Sequence, residues 1–544
     1  APPVFIQGRG RRMEARKVSC GVCCKGRGAL RPHPEEGLPM WVEENRAQRF
    51  LRRCVCAVCA LMFAFFILVF LLSDQGPAGY RLAWAAALIC LLAGAAWLCR
   101  HFATFVAKHF SLLVGGAALV LFAVAVVFAT MLRFEPIYDL EAIYRGGEGW
   151  GIYGELMRFT SHTFDPNYFY RWHNNLGGAA FLAIYFKLVH ALGGTDLFLA
   201  ASCLNAFLAA LCIFVTAHAG RKLGGETVGI VAGLCLLCTP PMWFSAAVFY
   251  TDFLTLLFPV LAFWLFLCGL EQNVLWKSAG WYLLAGLSIG LGAMVKPTVG
   301  IVAIAATLIA FLRCKPKQAA VFALCTVLCV GMFQIVLDKA VYPAQLNRQT
   351  AQRVNTPMLH WVMMGLQGDG GWNAEDDGFT QSFDGPVEKR QQVAARLRQR
   401  LQAMDGVDAL ALFRRKMEKC FCNGTYDLHT FLDDRPQYDT ALHHFLMPGN
   451  VGYDHYRHLC NGVELGLFLL SLLGSAALCV KKQVDYRALV PPLCILGLAM
   501  FLCLWETNAR YIVNYLPMLA LCAAQGMQLA VGAAKRLLYG KQGV

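Results

Sequence analysis

The stretch "SLLVGGAALVLFAVAVVFATMLRFEPIYDLE", residues 111–141, joins an uninterrupted apolar run to two carboxylates. Its apolar part, residues 111–132, is long enough to cross a bilayer, for which about 20 residues suffice. Asp139 and Glu141 follow directly. Carboxylates beside a membrane span are costly to place, so they are candidates for a functional role.

The composition of the whole chain extends this interpretation. Of its 544 residues, 58% are hydrophobic and only 15% are charged, and the mean hydropathy is +0.50. Soluble domains carry about 25% charged residues. Apolar runs of spanning length recur along most of the chain, so the sequence predicts an all-α polytopic membrane protein. The lipid bilayer is therefore an expected partner.

The charges occur in short basic clusters between apolar runs, although the net charge is +14. No broad basic surface is combined with aromatic platforms, so nucleic acid is not an expected partner. Most of the 23 cysteines lie in apolar runs or basic segments, where cysteine behaves as a small hydrophobic residue. A disulfide framework is therefore not implied.

The first 45 residues predict a disordered basic tail, and they lack the apolar core of a signal peptide. Cys20, Cys23, Cys24 and His33 raise the idea of a zinc site, but their spacing is poor and a disordered tail is favoured. Met13 and Met40 are both possible natural starts. No metal and no cofactor is expected.

The positive-inside rule gives a topology with both termini in the cytoplasm. It predicts an N-terminal transmembrane module at residues 46–341, an extracytoplasmic domain at 342–458, further transmembrane helices at 459–535 and a cytoplasmic tail at 536–544. About twelve spans are predicted in total. They cover residues 55–73, 80–98, 111–132, 195–219, 225–243, 245–269, 278–295, 297–313, 319–341, 460–480, 487–505 and 511–533.

The outer loop at residues 133–192 contains one ambiguous segment, 176–192. If this segment spanned the bilayer, Arg221 and Lys222 would fall outside, against the rule. Lys187 and His190 also suit a helix lying at the interface. We therefore expect an interfacial, juxtamembrane helix here.

This topology places eight ionisable residues on the outer side, close to the membrane. They are Asp139, Glu141, Arg171, His173, Asp252, Lys296, Glu506 and Arg510. Lysine and arginine at such places can simply extend to the interface, whereas short carboxylate side chains reach less far. Glu506 and Arg510 could also face each other across one helical turn.

Carboxylates and cations in an outward-facing cavity suit group transfer from a phosphorylated lipid. A carboxylate can take the proton from an acceptor hydroxyl that attacks an anomeric carbon. Arginine or lysine can hold the leaving phosphate and stabilise its negative charge. No nucleotide is needed outside the cell, because the lipid carries the activated sugar.

At these residues the chain resembles the GT-C superfamily of polyprenyl-phosphate-dependent glycosyltransferases. It is most similar to glycosyltransferase family 39, which holds the protein O-mannosyltransferases and the lipid A aminoarabinose transferase, in its Gram-positive bacterial form. The resemblance covers roughly residues 50–535. It is carried by "YDLEAIY" (138–144), "YRWHNNLGGAAFLAIYFKL" (170–188), "VFYTDFLTLLF" (248–258), "AMVKPTVGI" (293–301), "MMGLQGDGGWNAEDDGFT" (363–380), "CNGTYD" (422–427) and "WETNARYIVNYLPML" (505–519).

The resemblance implies a GT-C fold and a set of roles. Asp139 matches the catalytic acidic residue and would act as general base, with Glu141 beside it to hold the acceptor or tune the base; the alternative is a helix cap. The substrate or donor-phosphate contacts implied are Arg171, His173, Asn174, Asn175, Tyr250, Asp252, Lys296, Glu506 and Arg510. A proline that the family usually has before the asparagines is absent at Trp172-His173, which blurs that part of the assignment.

The predicted function is inverting transfer of one sugar from undecaprenyl phosphate to an extracytoplasmic acceptor. The acceptor is a cell-wall polysaccharide, a teichoic-acid-like polymer or a protein. A transporter or flippase of a lipid-linked saccharide is the alternative, and a polymerase using a lipid diphosphate is a third. Asp376 and Asp377 could hold a divalent cation, but a surface turn is the favoured interpretation.

Overall fold

A computed structural model describes residues 44–73, 76–159, 165–313, 315–432 and 436–539, and side chains as far as residue 533. These described residues form one compact unit. The predicted tail, apart from residues 44 and 45, lies outside the described residues, as do Cys20, Cys23, Cys24 and His33. Within the described ranges every regular element is helical, and the one extended pairing is an isolated bridge between Phe134 and Pro436.

The helices of twelve residues or more are labelled α1 to α15 in chain order. They are α1 (Arg46–Leu72), α2 (Ala78–His101), α3 (Ala103–Met131), α4 (Tyr138–Tyr153), α5 (Leu176–Ala191), α6 (Leu197–Leu237), α7 (Leu257–Leu270), α8 (Leu275–Val295), α9 (Ile301–Leu312), α10 (Pro316–Val336), α11 (Pro386–Ala403), α12 (Gly406–Phe421), α13 (Val451–Val480), α14 (Val490–Leu504) and α15 (Leu516–Tyr539). The prediction of an all-α polytopic membrane protein is confirmed.

Ten helices of the described chain are long and apolar enough to cross a membrane. One of these is α6, whose 41 residues contain a break at Gly224 and Gly225. Gly220 packs directly against Gly229 there, which a straight helix forbids, so the chain reverses and α6 is a hairpin. Counting the hairpin as two segments and adding the shorter apolar helix Pro297–Leu312 gives the predicted twelve.

Burial separates central helices from peripheral ones. The span Thr251–Leu270 is 89% buried, whereas the apolar windows of α2, α3 and the helix that contains α10 are only 22%, 28% and 22% buried. An apolar face without protein cover suits contact with lipid tails. The helix bearing Asp252 is therefore central, and those three helices form part of the rim.

Two helices that lie outside the set of candidate spans pack against each other. Helices α4 and α5 meet where Gly147 contacts Leu182 and Phe186, and α5 in turn meets the end of α8. A Cβ atom on Gly177 of α5 would lie 1.9 Å from the carbonyl oxygen of Met294. The structure contains no membrane, so the interfacial position of residues 176–192 stays a prediction.

The polar segment, residues 346–450, lies between the spans that end at Gln345 and begin at Val451. It contains α11, α12 and several short helices, among them Leu359–Met364 and Ala374–Gln381. Helix α12 packs on α1, on α14 and on the short helix Ala509–Tyr515. The polar segment is thus in contact with the membrane helices, while its predicted domain boundaries of 342 and 458 stay a prediction.

Helices α13 and α15 are held together by glycines. A Cβ atom on Gly526 would lie 1.9 Å from the carbonyl oxygen of Leu470, and one on Gly474 would lie 3.1 Å from that of Cys522. Small residues let membrane helices approach closely enough for extensive van der Waals contact. This contact fixes the position of α15, which directly follows the short helix that carries Arg510.

We expect Gly526→Ala to destabilise the protein by about 1–3 kcal/mol, because the added methyl group forces α13 and α15 apart. The measurement is the apparent melting temperature in detergent. Gly532→Ala on the same helix is the control, since a Cβ there meets nothing within 4 Å and alanine favours helix formation. Equal melting of the two variants would contradict the close approach.

Candidate functional site

The loop that follows α3 delivers Asp139 to the first turn of α4. Ile137 is extended, and Tyr138 then takes a left-handed conformation with φ of +54°. A tyrosine in this region is strained, and such strain is often found at functional sites. Asp139 is half-buried, so part of the residue is exposed.

Two tyrosines hold the Asp139 carboxylate. The Tyr168 hydroxyl donates to Oδ1 at 2.6 Å and the Tyr250 hydroxyl donates to Oδ2 at 3.1 Å. Asn175 Nδ2 in turn donates to the Tyr168 oxygen at 2.5 Å. Burial, together with the nearby Asp139 charge, raises the pKa of both phenols well above the usual value. Both tyrosines therefore stay protonated and act as donors.

Glu141 lies two residues further along α4 and is buried, with 6% of its surface exposed. Residues at positions i and i+2 of a helix point to different faces. Asp139 and Glu141 therefore do not present a joint pair of carboxylates. Asp139 is the more accessible of the two.

A buried ion-pair network surrounds Asp252, at the start of the central span. Asp252 is fully buried, and its Oδ1 is paired with Lys296 Nζ. Arg510 Nε lies 3.2 Å from Asp252 Oδ2. Lys296 has an extended backbone conformation, which is favoured because Pro297 follows it. Helix α8 therefore ends at Val295, and the chain turns there. The Asp252 carboxylate thus pairs with two cations, which lie on two other segments of the chain.

Aromatic rings enclose these cations. Arg510 Cζ lies 5.2 Å from the Tyr250 ring centre and 5.1 Å from that of Phe431, and Lys296 Nζ lies 4.1 Å from the ring centre of Tyr511. Ring faces attract cations most strongly where water is excluded. Burial lowers the pKa of Lys296 against the opposing effect of Asp252. The aromatic rings therefore help Asp252 to keep both cations in place.

Glu506 belongs to the same cluster through Tyr511, whose hydroxyl donates to Glu506 Oε2. Burial raises the pKa of the Glu506 carboxyl, although Tyr511 and Arg510 oppose the shift. The alternative of a Glu506–Arg510 pair across an α-helical turn is wrong. Residues 505–508 are not helical, and Arg510 turns to Asp252 instead. Asp252, Lys296, Glu506 and Arg510 are called the charged cluster below.

Tyr250 joins the charged cluster to Asp139. Its hydroxyl contacts the Asp139 carboxylate, and its ring face carries Arg510. Four of the residues predicted from sequence are therefore brought together with Asp139 and Tyr250: Asp252, Lys296, Glu506 and Arg510. Asn175 reaches the same place through Tyr168.

Two other predicted contacts have partners elsewhere, and a third is hydrogen-bonded to Asn175 of the Asp139 network. Arg171 pairs with Asp165 at 3.0 Å, His173 Nδ1 lies 2.8 Å from Asn355 Oδ1, and Asn174 donates to Asn175. His173 and Asn174 are exposed. The side chains of Arg171 and His173 thus pair outside the charged cluster, and the main chain at Arg171 receives a hydrogen bond from Thr356 of the polar segment.

The prediction of a surface turn at Asp376 and Asp377 is wrong for Asp376. Asp376 is fully buried in the helix Ala374–Gln381 and pairs with Arg400 at 2.7 Å. Arg400 also donates to the carbonyl oxygen of Met363. This carboxylate therefore holds the polar segment together. In the ranges that the structure describes, no three His, Cys, Asp or Glu side chains are grouped as metal ligands.

Sequence reasoning missed three residues of the site: Tyr168, Phe431 and Tyr511. Tyr511 directly follows Arg510, and an aromatic residue beside a candidate phosphate-binding arginine was an available signal. Tyr168 and Phe431 reach the site only through the tertiary fold. No local pattern distinguishes them from other aromatic residues near the membrane.

Comparison with known proteins identifies a family and three solved structures. A family described as conserved hypothetical integral membrane protein matches residues 53–531. No curated protein matches the sequence. ArnT from Cupriavidus metallidurans bound to undecaprenyl phosphate shares 13% identity over 80% of this chain and 81% of its own, with a TM-score of 0.33.

Two structures of an Archaeoglobus fulgidus oligosaccharyltransferase also match. The complex of AglB with an inhibitory peptide and a dolichol-phosphate shares 13% identity, covers 78% of this chain and 52% of its own, and has a TM-score of 0.34. The apo form shares 14% identity, covers 78% and 51%, and has a TM-score of 0.37. At these TM-scores the likenesses carry no inference about this chain.

We expect Asp252→Asn to cost about 3–5 kcal/mol of stability, because it leaves Lys296 and Arg510 buried without a counter-charge. The melting temperature in detergent measures the loss. Adding Lys296→Met should restore part of it, since one uncompensated cation is then removed. Strictly additive losses would show that Asp252 and Lys296 are not coupled.

Proposed function

The chain belongs to the family of conserved hypothetical integral membrane proteins, and from its site we propose that it is a membrane glycosyltransferase. The donor is a sugar linked to a polyprenyl phosphate such as undecaprenyl phosphate. The acceptor carries a nucleophilic hydroxyl outside the cytoplasm. The fold proposed with this function is that of the GT-C superfamily.

One observation carries the proposal: Tyr250 joins a half-buried carboxylate to a largely buried pair of cations. Its hydroxyl lies 3.1 Å from Asp139 and its ring centre lies 5.2 Å from Arg510 Cζ. A transferase that uses a phosphate-linked sugar needs a base and a phosphate-binding cation on either side of one carbon atom. We assign these two roles to Asp139 and Arg510.

Asp139 is the proposed general base. A carboxylate offers about four acceptor positions, and the two tyrosine hydrogen bonds leave acceptor positions free. The acceptor hydroxyl can therefore donate to Asp139 while its oxygen approaches the anomeric carbon. The tyrosines fix the orientation of the carboxylate, which lowers the entropic cost of reaction.

The reaction exchanges one carbon–oxygen bond for another. The acceptor oxygen forms a bond to the anomeric carbon, and its proton passes to Asp139. The bond between that carbon and the phosphate oxygen breaks, and its electron pair leaves with the polyprenyl phosphate. Attack opposite the leaving group inverts the anomeric centre.

Arg510 and Lys296 are the proposed donor-phosphate contacts. Arginine presents several N–H donors in one plane, which suits phosphate oxygens. Their N–H donors can bind the oxygens of the leaving phosphate and stabilise its growing negative charge. Glu506 orients Tyr511, on whose ring Lys296 rests.

The sequence supports the finer points of the proposal. The motifs around Asp139, Asp252, Lys296 and Arg510 resemble those of glycosyltransferase family 39 in order and spacing. Basic loops at the opposite ends of the spans favour an extracytoplasmic site. We propose a cell-wall polysaccharide, a teichoic-acid-like polymer or a protein as acceptor, and we assign no metal to the reaction.

Asp139→Asn should lower sugar transfer by about 10²–10⁴-fold, because the amide cannot accept the acceptor proton. The measurement is release of undecaprenyl phosphate by the purified protein from a panel of undecaprenyl-phosphate sugars. Glu135→Gln is the matched control, since Glu135 is exposed and lies on the same loop. Full activity of Asp139→Asn would refute its role as base.

Arg510→Lys should weaken binding of undecaprenyl phosphate by about tenfold, because lysine keeps the charge but loses the planar donors. Binding to protein in lipid nanodiscs measures the change. Arg171→Lys is the control, because Arg171 was also predicted to contact phosphate but pairs with Asp165 away from the charged cluster. An equal loss in both variants would contradict the assignment to Arg510.

A further inference from the structure

The turn between α14 and the short helix Ala509–Tyr515 carries Glu506 and leads directly to Arg510. At the end of a helix the last four carbonyl groups lack partners within the helix. Here the chain continues through non-helical residues 505–508, so the carbonyls of Cys503 and Trp505 need partners from elsewhere. The position of Glu506 depends on what those partners are.

Lys416 of α12 supplies them. Its Nζ donates to the carbonyl oxygens of Gly365 at 2.8 Å, Cys503 at 3.1 Å and Trp505 at 2.8 Å. The side chain is fully buried. An ammonium group has three donors, and all three are used. Two of the three acceptors, the carbonyls of Cys503 and Trp505, belong to the segment that leads directly to Glu506.

The surrounding backbone reinforces this anchor. Thr507 N donates to the Gly370 carbonyl at 2.8 Å, and the Thr507 hydroxyl donates to that of Asp369 at 3.1 Å. A Cβ on Gly365 would lie 2.7 Å from the Trp505 carbonyl, and one on Gly370 would lie 2.7 Å from the Lys416 stem. The polar segment therefore touches the turn backbone to backbone, with Lys416 at the centre.

The chemistry of Lys416 indicates a structural anchor that acts on the site, not an acid or a base. Among the described residues its ammonium is in ion-pair contact with no carboxylate, and its hydrogen bonds all go to main-chain carbonyls. A cation at the carboxyl end of α14 also interacts favourably with the helix dipole. Removing it takes the donor from three main-chain carbonyl groups, of which the one at Gly365 is bonded in a buried position.

We propose that Lys416 is a positioning residue for the donor-phosphate site. It holds the turn at residues 503–508 so that Glu506 and Arg510 meet Tyr511 and Asp252. The polar segment thereby becomes part of the site without touching the donor. This inference rests on the proposed function only for the identity of the ligand.

The test combines two variants that disturb the anchor from opposite sides. Lys416→Met removes the donors but keeps most of the length of the unbranched side chain. Gly365→Ala pushes its methyl group into the Trp505 carbonyl. The matched controls are Arg414→Met, an exposed cation on the same helix, and Gly378→Ala, where a Cβ meets nothing within 4 Å.

Two readouts are taken on the full chain in nanodiscs: hydrogen exchange of the amides at residues 503–511, and binding of undecaprenyl phosphate. Lys416→Met and Gly365→Ala should each speed local exchange by about tenfold or more and weaken binding by about tenfold. Exchange in α2, remote from the turn, should stay unchanged in both. The controls should move neither readout.

Exchange at residues 503–511 that stays within twofold of wild type in Lys416→Met would overturn the inference. Faster exchange with unchanged binding would overturn it as well, because the turn would then have no effect on the phosphate site. If the wild-type protein binds no undecaprenyl phosphate and exchange still rises, the anchor is supported and the proposed function fails.

Discussion

The buried carboxylate of Asp252 is the constraint on which the site depends. A charge in a water-free interior costs several kcal/mol unless opposite charges and hydrogen bonds compensate it. Lys296 and Arg510 provide this compensation from two elements distant in sequence. Three chain segments, the start of the central span, the end of α8 and the turn before α15, are therefore obliged to meet. The tyrosines complete the enclosure and extend it to Asp139.

This convergence explains why the polar segment is needed beside the membrane helices. Phe431 covers one side of Arg510, and Lys416 satisfies the carbonyls of the turn that precedes it. Asp376 and Arg400 hold the polar segment itself in shape. The segment thus contributes ring faces, hydrogen-bond donors and rigidity, while Asp139 and the charged cluster belong to the membrane helices and their loops.

Hydropathy and charge patterning predicted the helical architecture because each span is a local, strongly apolar signal. Even the reversal at Gly224 and Gly225 was predicted as a boundary between two spans. The members of the charged cluster were predicted as candidate site residues because ionisable groups near apolar spans are costly to place. Tyr168 and Phe431 escaped prediction, since an aromatic residue near a membrane has many uses and only tertiary contact assigns one. Asp376 was misjudged for a related reason: its partner, Arg400, is 24 residues away.

The contact between Gly177 and the Met294 carbonyl affects the spacing between two parts of the site. Gly177 lies two residues after Asn175, which belongs to the Asp139 network, and Met294 lies two residues before Lys296. A Cβ atom at position 177 would clash with this carbonyl, so α5 and the end of α8 can approach this closely only because residue 177 is a glycine. The contact therefore sets the distance between the two parts of the chain that carry Asn175 and Lys296. Shape thus fixes part of the spacing of the site, in addition to the electrostatic attraction within it.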